Sequence, residues 1–190
     1  ERRVRVMYRC PPGFDDGAPI HYRSEAGSSD AALAGLIATG ERFDVVFVDP
    51  WHEYETSLCD LVYGLQLLKP GGALVIHDCD PPSAASAVPK WPKRAWCGVT
   101  FAAYLDTVLF NPELTYATVD SDFGCGVISR HPRLASIVGR PTSTEPVEQW
   151  RLQSLETKYE TLTRWRAALL RLIGPAEFAS RLAADSATIG

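Results

Sequence analysis

The sequence predicts an α/β fold: a parallel sheet with helices on both faces, a closing antiparallel hairpin and a helical C-terminal extension. Three observations carry this. "DVVFVD" (44–49) and "ALVIHD" (73–78) are nearly unbroken apolar runs, the pattern of parallel strands buried on both faces. Between them Leu58, Leu61, Val62, Leu65 and Leu68 keep helical spacing, so strand, helix and strand follow one another as a βαβ unit. Further on, "LTYATVD" and "FGCGVISR" flank Ser121 and Asp122, which predicts two antiparallel strands and a turn.

The remaining elements follow in order. "RVRVMY" (3–8) alternates as a strand does, and "CPPGFDDGAP" is a loop dense in turn formers. "IHY" (20–22) reads as a short strand leading into "RSEAGSSD". Ser28, Ser29 or Asp30 then caps a helix over "AALAGLIATG", with Gly40 as its stop. "KPGG" (69–72) ends the helix that begins near residue 53, because proline cannot continue the ladder and glycine permits the reversal. "PPSAASAVPKWPKRAWC" (81–97) is a long loop of the kind that forms lids or binding segments. "GVTFAAYLDTVL" (98–109) is helical. "EQWRLQSLETKYETLTRWRAALLRLI" (148–173) reads as one long amphipathic helix, and Gly174-Pro175 breaks the chain before a last short helix. The 190 residues form a single domain, 1–190, divided into an α/β core (1–140) and a helical extension (141–190).

Composition excludes several function classes. A net charge of −4 argues against a nucleic-acid footprint, which needs a basic face. No apolar run approaches the ~20 residues of a membrane span. Five scattered cysteines form no CxxC pair and no metal-ligand spacing, which fits reduced thiols in the cytoplasm. Cys59 sits in the helical pattern as a small core residue.

The chemistry concentrates at two strand ends. In an open parallel sheet, ligands bind outside the carboxyl ends of the strands. Asp49-x-x-His52 and His77-Asp78-x-Asp80 each occupy such an end, on consecutive strands of one βαβ unit. Singly, each residue has a plainer reading: Asp49 as a helix cap, Asp80 as a turn former before Pro81-Pro82, His77 as a core histidine, Trp51 as loop packing. Together, two histidines and three acids converge on one crevice. Carboxylates on adjacent strand ends suit a hard divalent cation such as Mg²⁺. A cation lowers the pKa of a hydroxyl beside it, and a histidine with a pKa near ~6.5 can take the proton. Such a site prepares an oxygen nucleophile for group transfer.

"FDVVFVDPWHEYETSLCDLVYGLQLLKPGGALVIHDC" closely resembles the second half of class I S-adenosylmethionine-dependent methyltransferases, in the metal-dependent small-molecule O-methyltransferase branch that acts on sugars and natural-product hydroxyls. "TVDSDFGCGVIS" is similar to the closing hairpin of that branch and "AWCGVTFAAYL" to the helix before it. The resemblance covers roughly residues 24–130 and implies a Rossmann-like fold, S-adenosylmethionine as cofactor and a divalent cation. It implies Asp49 and Asp78 as metal ligands and His52 as catalytic base. Ser29 and Asp30, with Asp49, are implied as cofactor-binding positions. His77 stands where related enzymes have a second acid, so His77, Cys79 and Asp80 are all candidates for the third ligand. The family's glycine-rich strand-turn has no counterpart in residues 1–42, and the expectation is that it lies upstream of Glu1. The expected partner is a small-molecule hydroxyl acceptor, a sugar or an aromatic, closed over by loop 81–97 with Trp91 and Trp96; neither nucleic acid nor membrane is expected, and a homo-oligomer is compatible.

Two other functions compete. A metal-dependent hydrolase would use the same Asp/His cluster, although it would need a tighter ligand set. A non-catalytic partner subunit would bind through Trp150, Leu155, Tyr159, Leu162 and Trp165 of the 148–173 helix; the alternative is that this helix packs on its own sheet.

Overall fold

The computed structural model describes residues 4–7, 20–23 and 29–187. Strands β1 (Arg5–Met7) and β2 (Ile20–Arg23) pair in parallel as a small sheet of their own. The turn-rich segment 11–19 and Ser28 lie outside the described residues. The main sheet contains β3 (Phe43–Val48), β4 (Leu68–Ile76), β5 (Tyr116–Val119), β6 (Cys125–Ser129) and β7 (Leu172–Ile173), in the order β3-β4-β6-β5-β7. β3 and β4 are parallel, β6 runs antiparallel to both β4 and β5, and β7 is parallel to β5. The predicted α/β core and closing hairpin are both present.

The helices are α1 (Asp30–Ala38), α2 (Tyr54–Gln66), α3 (Thr100–Phe110), α4 (Glu145–Arg151), α5 (Lys158–Leu170) and α6 (Pro175–Ala187). Gly40, at a φ of 77°, follows α1 as the sequence predicts. After α2 the chain turns at once into β4. The ladder then jumps: Leu68 faces Phe43, but the next partner of β3 is Ala73, so residues 69–72 bulge before regular pairing resumes. Among the described residues no helix is long and apolar enough to cross a membrane.

One face of β3 and β4 packs inward through Val48, Leu74 and Ile76 against α2 and α3. Helix α3 is buried from Thr100 to Leu109, as a helix with apolar residues all round should be. A smaller core on the opposite face joins Ala117, Val119, Val127 and Ile173 to Leu134, Ile137 and Val138, with Phe178 of α6 packed on it. That cover does not extend to β3. Val45 and Phe47 are 62% and 61% exposed, so β3 is an edge strand with one open face, not the doubly buried strand its composition predicts.

The long helix predicted over 148–173 is instead α4, a turn, α5 and β7. The Ser154 carbonyl accepts the Thr157 hydroxyl as well as the Thr157 and Lys158 amides, a local closure that competes with helix continuation. Arg171, in the left-handed region at a φ of 52°, stops α5 and admits β7. The apolar face offered to a partner is spent internally: Trp150 and Leu162 are fully buried, while Leu155, Tyr159 and Trp165 pack against the same core.

A buried polar knot fixes this extension to the core. The Asp106 carboxylate on α3 accepts hydrogen bonds from the Tyr54 hydroxyl (2.7 Å), the Trp150 indole N–H (2.8 Å) and the Lys158 ammonium, joining α2, α3, α4 and α5. Lys158 Nζ also stands 4.5 Å from the centre of the Trp150 ring. Removing one partner of a buried ion pair strands the other charge. Asp106→Ala is therefore expected to cost about 3–5 kcal/mol in urea denaturation; a loss below about 1 kcal/mol would show that the knot is replaceable by water.

Candidate functional site

Parallel pairing brings the two strand tips together. Val48 is level with Ile76 and its carbonyl accepts the His77 amide at 2.9 Å, so Asp49 leaves the sheet beside His77, with Asp78 one position further on. Asp78 then adopts a left-handed conformation, φ 59°, which costs a non-glycine residue roughly 1–3 kcal/mol and turns the chain sharply. The hairpin clamps that turn: the Cys79 amide donates to the Gly124 carbonyl (2.9 Å) and the Asp80 amide to the Phe123 carbonyl (2.7 Å). On the other side, the Val99 amide donates to the His52 carbonyl at 2.8 Å. This approach requires Gly98, since a Cβ there would stand 2.1 Å from the His52 carbonyl oxygen.

The side chains converge. His52 Nε2 lies 3.0 Å from Asp78 Oδ2 and 3.6 Å from Asp49 Oδ1. Donor atoms of Asp49, His52 and Asp78 all fall within 4.8 Å of one another. His77 enters from the far side, its Nδ1 3.1 Å from Asp78 Oδ2 and 3.8 Å from Asp49 Oδ1. Each imidazole is anchored by its outer nitrogen: His52 Nδ1 on the Trp96 carbonyl at 2.8 Å, His77 Nε2 on Asp122 Oδ2 at 3.2 Å. Asp78 is buried, whereas Asp49 is 56% exposed and opens the site to solvent.

The electrostatics follow from this crowding. Burial disfavours the His52 imidazolium, but hydrogen bonds to Asp49 and Asp78 outweigh it and raise its pKa to about 9. His77 is also raised: burial opposes its charge, and the Asp78 and Asp122 carboxylates more than offset that. Burial pushes Asp78 upward, yet the hydrogen bond and charge of His52 leave it below the ordinary carboxylate value. Cys97, buried beside Asp78 and hydrogen-bonded to it, is pushed up to about 12 and stays a thiol. The donor set, two carboxylates with two imidazoles, is one that a divalent cation fits.

An aromatic wall borders the cluster. Trp51 meets Trp96 edge-on at 5.4 Å and Trp91 at 6.4 Å, and Trp96 lies 5.1 Å from the His52 ring. Trp51 and Trp91 remain about half exposed, so their faces are open to a ligand. A cavity of about 1010 Å³ lies elsewhere, lined by Tyr54, Leu58, Val62, Phe110 and Leu114 and by residues at the starting ends of β3 and β4. None of Asp49, His52, His77 and Asp78 lines it.

Residues 5–79 match the family model described as a methyltransferase domain. No curated protein matches the chain. Over that stretch the chain is similar to a methyltransferase domain, and the match supports the class I, S-adenosylmethionine-dependent kind. It takes in β1 to β4 and ends within the site itself, one residue past Asp78. The strand-end position of the cluster is where an α/β methyltransferase domain would place its chemistry.

The candidate site contains Asp49, His52, His77 and Asp78, all named by the sequence. Two candidates for a third ligand are drawn away. Cys79 is buried, its thiol turned to the Ile76 and His77 carbonyls and its pKa raised by burial well above the usual thiol value. Asp80 instead receives the Arg166 guanidinium, which also donates to the Pro81 carbonyl at 3.1 Å. Ser29 and Asp30 stand at the start of α1, where the Ser29 hydroxyl donates to Asp60 of α2 and does not cap its own helix. Asp122 and Arg166 were missed as site residues. Asp122 had the signal of a turn only, and Arg166 had none, because its partner is 86 residues away.

The raised pKa of His52 has a consequence for stability. A group at about 9 in the folded state and ~6.5 unfolded stabilises the fold fully below ~6.5, and that contribution is lost as pH rises through about 9. In metal-free protein, the gap in Tm between wild type and His52→Gln is therefore expected to be widest below pH 6.5 and to narrow toward pH 9.5. A gap constant across that range would contradict the coupling of His52 to the two carboxylates.

Proposed function

We propose that this protein methylates a hydroxyl oxygen of a small molecule, a sugar or natural product, using S-adenosylmethionine and a divalent cation. The observation that supports it best is the placing of two carboxylates and an outward-anchored imidazole at adjacent strand ends, next to exposed tryptophans. Asp49 and Asp78 would hold the cation, which when bound would make the acceptor hydroxyl more acidic. S-adenosylmethionine would supply the methyl carbon: the new O–CH3 bond forms as the S–CH3 bond breaks and sulfur keeps the electron pair.

The residues of the chain do the rest. With the charge of Asp49 and Asp78 engaged by a cation, His52 would lose the field that raises its pKa to about 9. Its Nε2 then accepts the hydroxyl proton, while Nδ1 keeps its N–H on the Trp96 carbonyl. Trp51 and Trp91 offer an apolar face to the acceptor ring, and loop 81–97 would shield the reaction from water. Positioning of this kind can lower a barrier by ~7–11 kcal/mol. Ser29 and Asp30 at the start of α1, with Asp49, would contact the cofactor, and the Ser29 hydroxyl also ties α1 to Asp60 of α2. The whole chain acts as one domain in this reading, with the extension 141–190 bracing the site through Arg166. The free thiols of Cys59, Cys79, Cys97 and Cys125 suit the reducing cytoplasm.

The test measures turnover and cofactor binding side by side. His52→Ala is expected to lower kcat about 10²–10⁴-fold while leaving S-adenosylmethionine affinity, measured by calorimetry, within about twofold. Chelation by EDTA should stop turnover and a divalent cation should restore it. Equal loss of turnover and cofactor binding in the variant would remove His52 from the base role; indifference to EDTA would remove Asp49 and Asp78 from the cation.

A further inference from the structure

We propose that His77 is the third protein ligand of the cation held by Asp49 and Asp78, and that this imidazole tilts the site toward a divalent transition ion such as Fe²⁺ or Co²⁺ over Mg²⁺. This ligand assignment rests on the metal-binding part of the function proposed above and adds to it the ligand and the class of ion.

His77 Nδ1 is inaccessible to solvent and has no hydrogen-bond partner among the described residues. An unsatisfied buried polar atom costs about 1–3 kcal/mol, and native structures seldom leave one without a reason. Here the orphaned atom faces carboxylate oxygens at 3.1 and 3.8 Å. Two ligands bound ~2.1 Å from one ion at right angles stand about 3 Å apart, so the nearer of these spacings already suits a shared ion. The outer edge of the ring completes the arrangement. Nε2–H donates to Asp122, so the nitrogen that an ion would take, releasing any proton it carries, is Nδ1. A carboxylate behind a histidine, with the metal in front, is the usual way a ligating imidazole is oriented. Asp122 is placed there by a turn in which residues 122, 123 and 124 all have positive φ, two of them non-glycine.

The neighbours leave this role to His77. Cys79 and Asp80 are engaged elsewhere. The two histidines make similar approaches to Asp78 but face different surroundings. His52 lies against Trp96 on the side of the exposed tryptophans, where an acceptor would sit. His77 backs onto Phe47 and Asp122, on the side away from that wall. One imidazole is thus placed to meet the acceptor and the other to hold the ion. Nitrogen ligands favour ions such as Fe²⁺ or Co²⁺, whereas Mg²⁺ prefers oxygen alone.

The test uses the full chain stripped of metal and needs no turnover. Calorimetry with CoCl2 and MgCl2 is expected to give Co²⁺ an affinity about tenfold or more above that of Mg²⁺. His77→Gln should weaken Co²⁺ binding about 10–100-fold and change Mg²⁺ binding much less, and Asp122→Asn should weaken Co²⁺ about tenfold. Pulsed EPR on Mn²⁺-loaded wild type, which avoids any question of variant folding, should detect one directly coupled imidazole nitrogen. That coupling should persist in His52→Gln and vanish in His77→Gln. Coupling that persists in His77→Gln, or Co²⁺ and Mg²⁺ binding equally, overturns the assignment. An ion bound without nitrogen coupling defeats His77 alone and leaves the carboxylate site standing; no ion bound by wild type defeats both. Calorimetry with S-adenosylmethionine on the same protein reports separately on the methyltransferase reading.

Discussion

The parallel register of β3 and β4 decides where everything else in the site can go. Its last rung, from the His77 amide to the Val48 carbonyl, sets Asp49 level with His77, and the left-handed turn at Asp78, one position further on, brings the second acid to the same cluster. Side chains alternate along a strand, so a slip of one residue would set Asp49 and His77 on opposite faces and dismantle the cluster. The apolar runs that lead into the tips protect that register. In the pairing observed, Val48, Leu74 and Ile76 are buried together against α2 and α3.

Beyond that rung, the chain spends stability to aim its side chains. Asp78 is left-handed, as are Asp122 and Phe123, and the hairpin and strand end hold one another through the Cys79 and Asp80 amides. The carboxylates and imidazoles crowd into a space where charge is only partly solvated. Protons on the histidines can balance the acids, which is why both imidazole pKa values are raised. A cation could balance them equally well, and proton and metal would then compete for the same oxygens and nitrogens. The C-terminal extension joins in from a distance: Arg166 holds Asp80 and the Pro81 carbonyl, and the Asp106 knot keeps α4 and α5 where they can do so.

Much of this is legible in the sequence because it is local. The apolar runs, the helix between them and the acids at their ends lie within about 35 residues, and strand-end logic alone brings Asp49, His52, His77 and Asp78 together. What was not legible depends on partners far along the chain. A β-branched run reads the same whether one face or two are covered, so the exposure of Val45 and Phe47 could not be seen in "DVVFVD". The break between α4 and α5 comes from hydroxyl-to-carbonyl closure at Ser154 and Thr157, which a hydrophobic period does not register. Cys79 and Asp80 looked equivalent to His77 as ligands. Only the direction of the chain after Asp78 turns one into the core and the other toward Arg166.

The central claim is that Asp49 and Asp78 share a single ion. Crystals of the full chain soaked in Mn²⁺ and measured at a wavelength where manganese scatters anomalously would test it most directly. The account predicts one strong anomalous peak within about 2.0–2.4 Å of a carboxylate oxygen from each of the two acids. A map with no peak there, or with the two carboxyl groups turned away from each other, would contradict it.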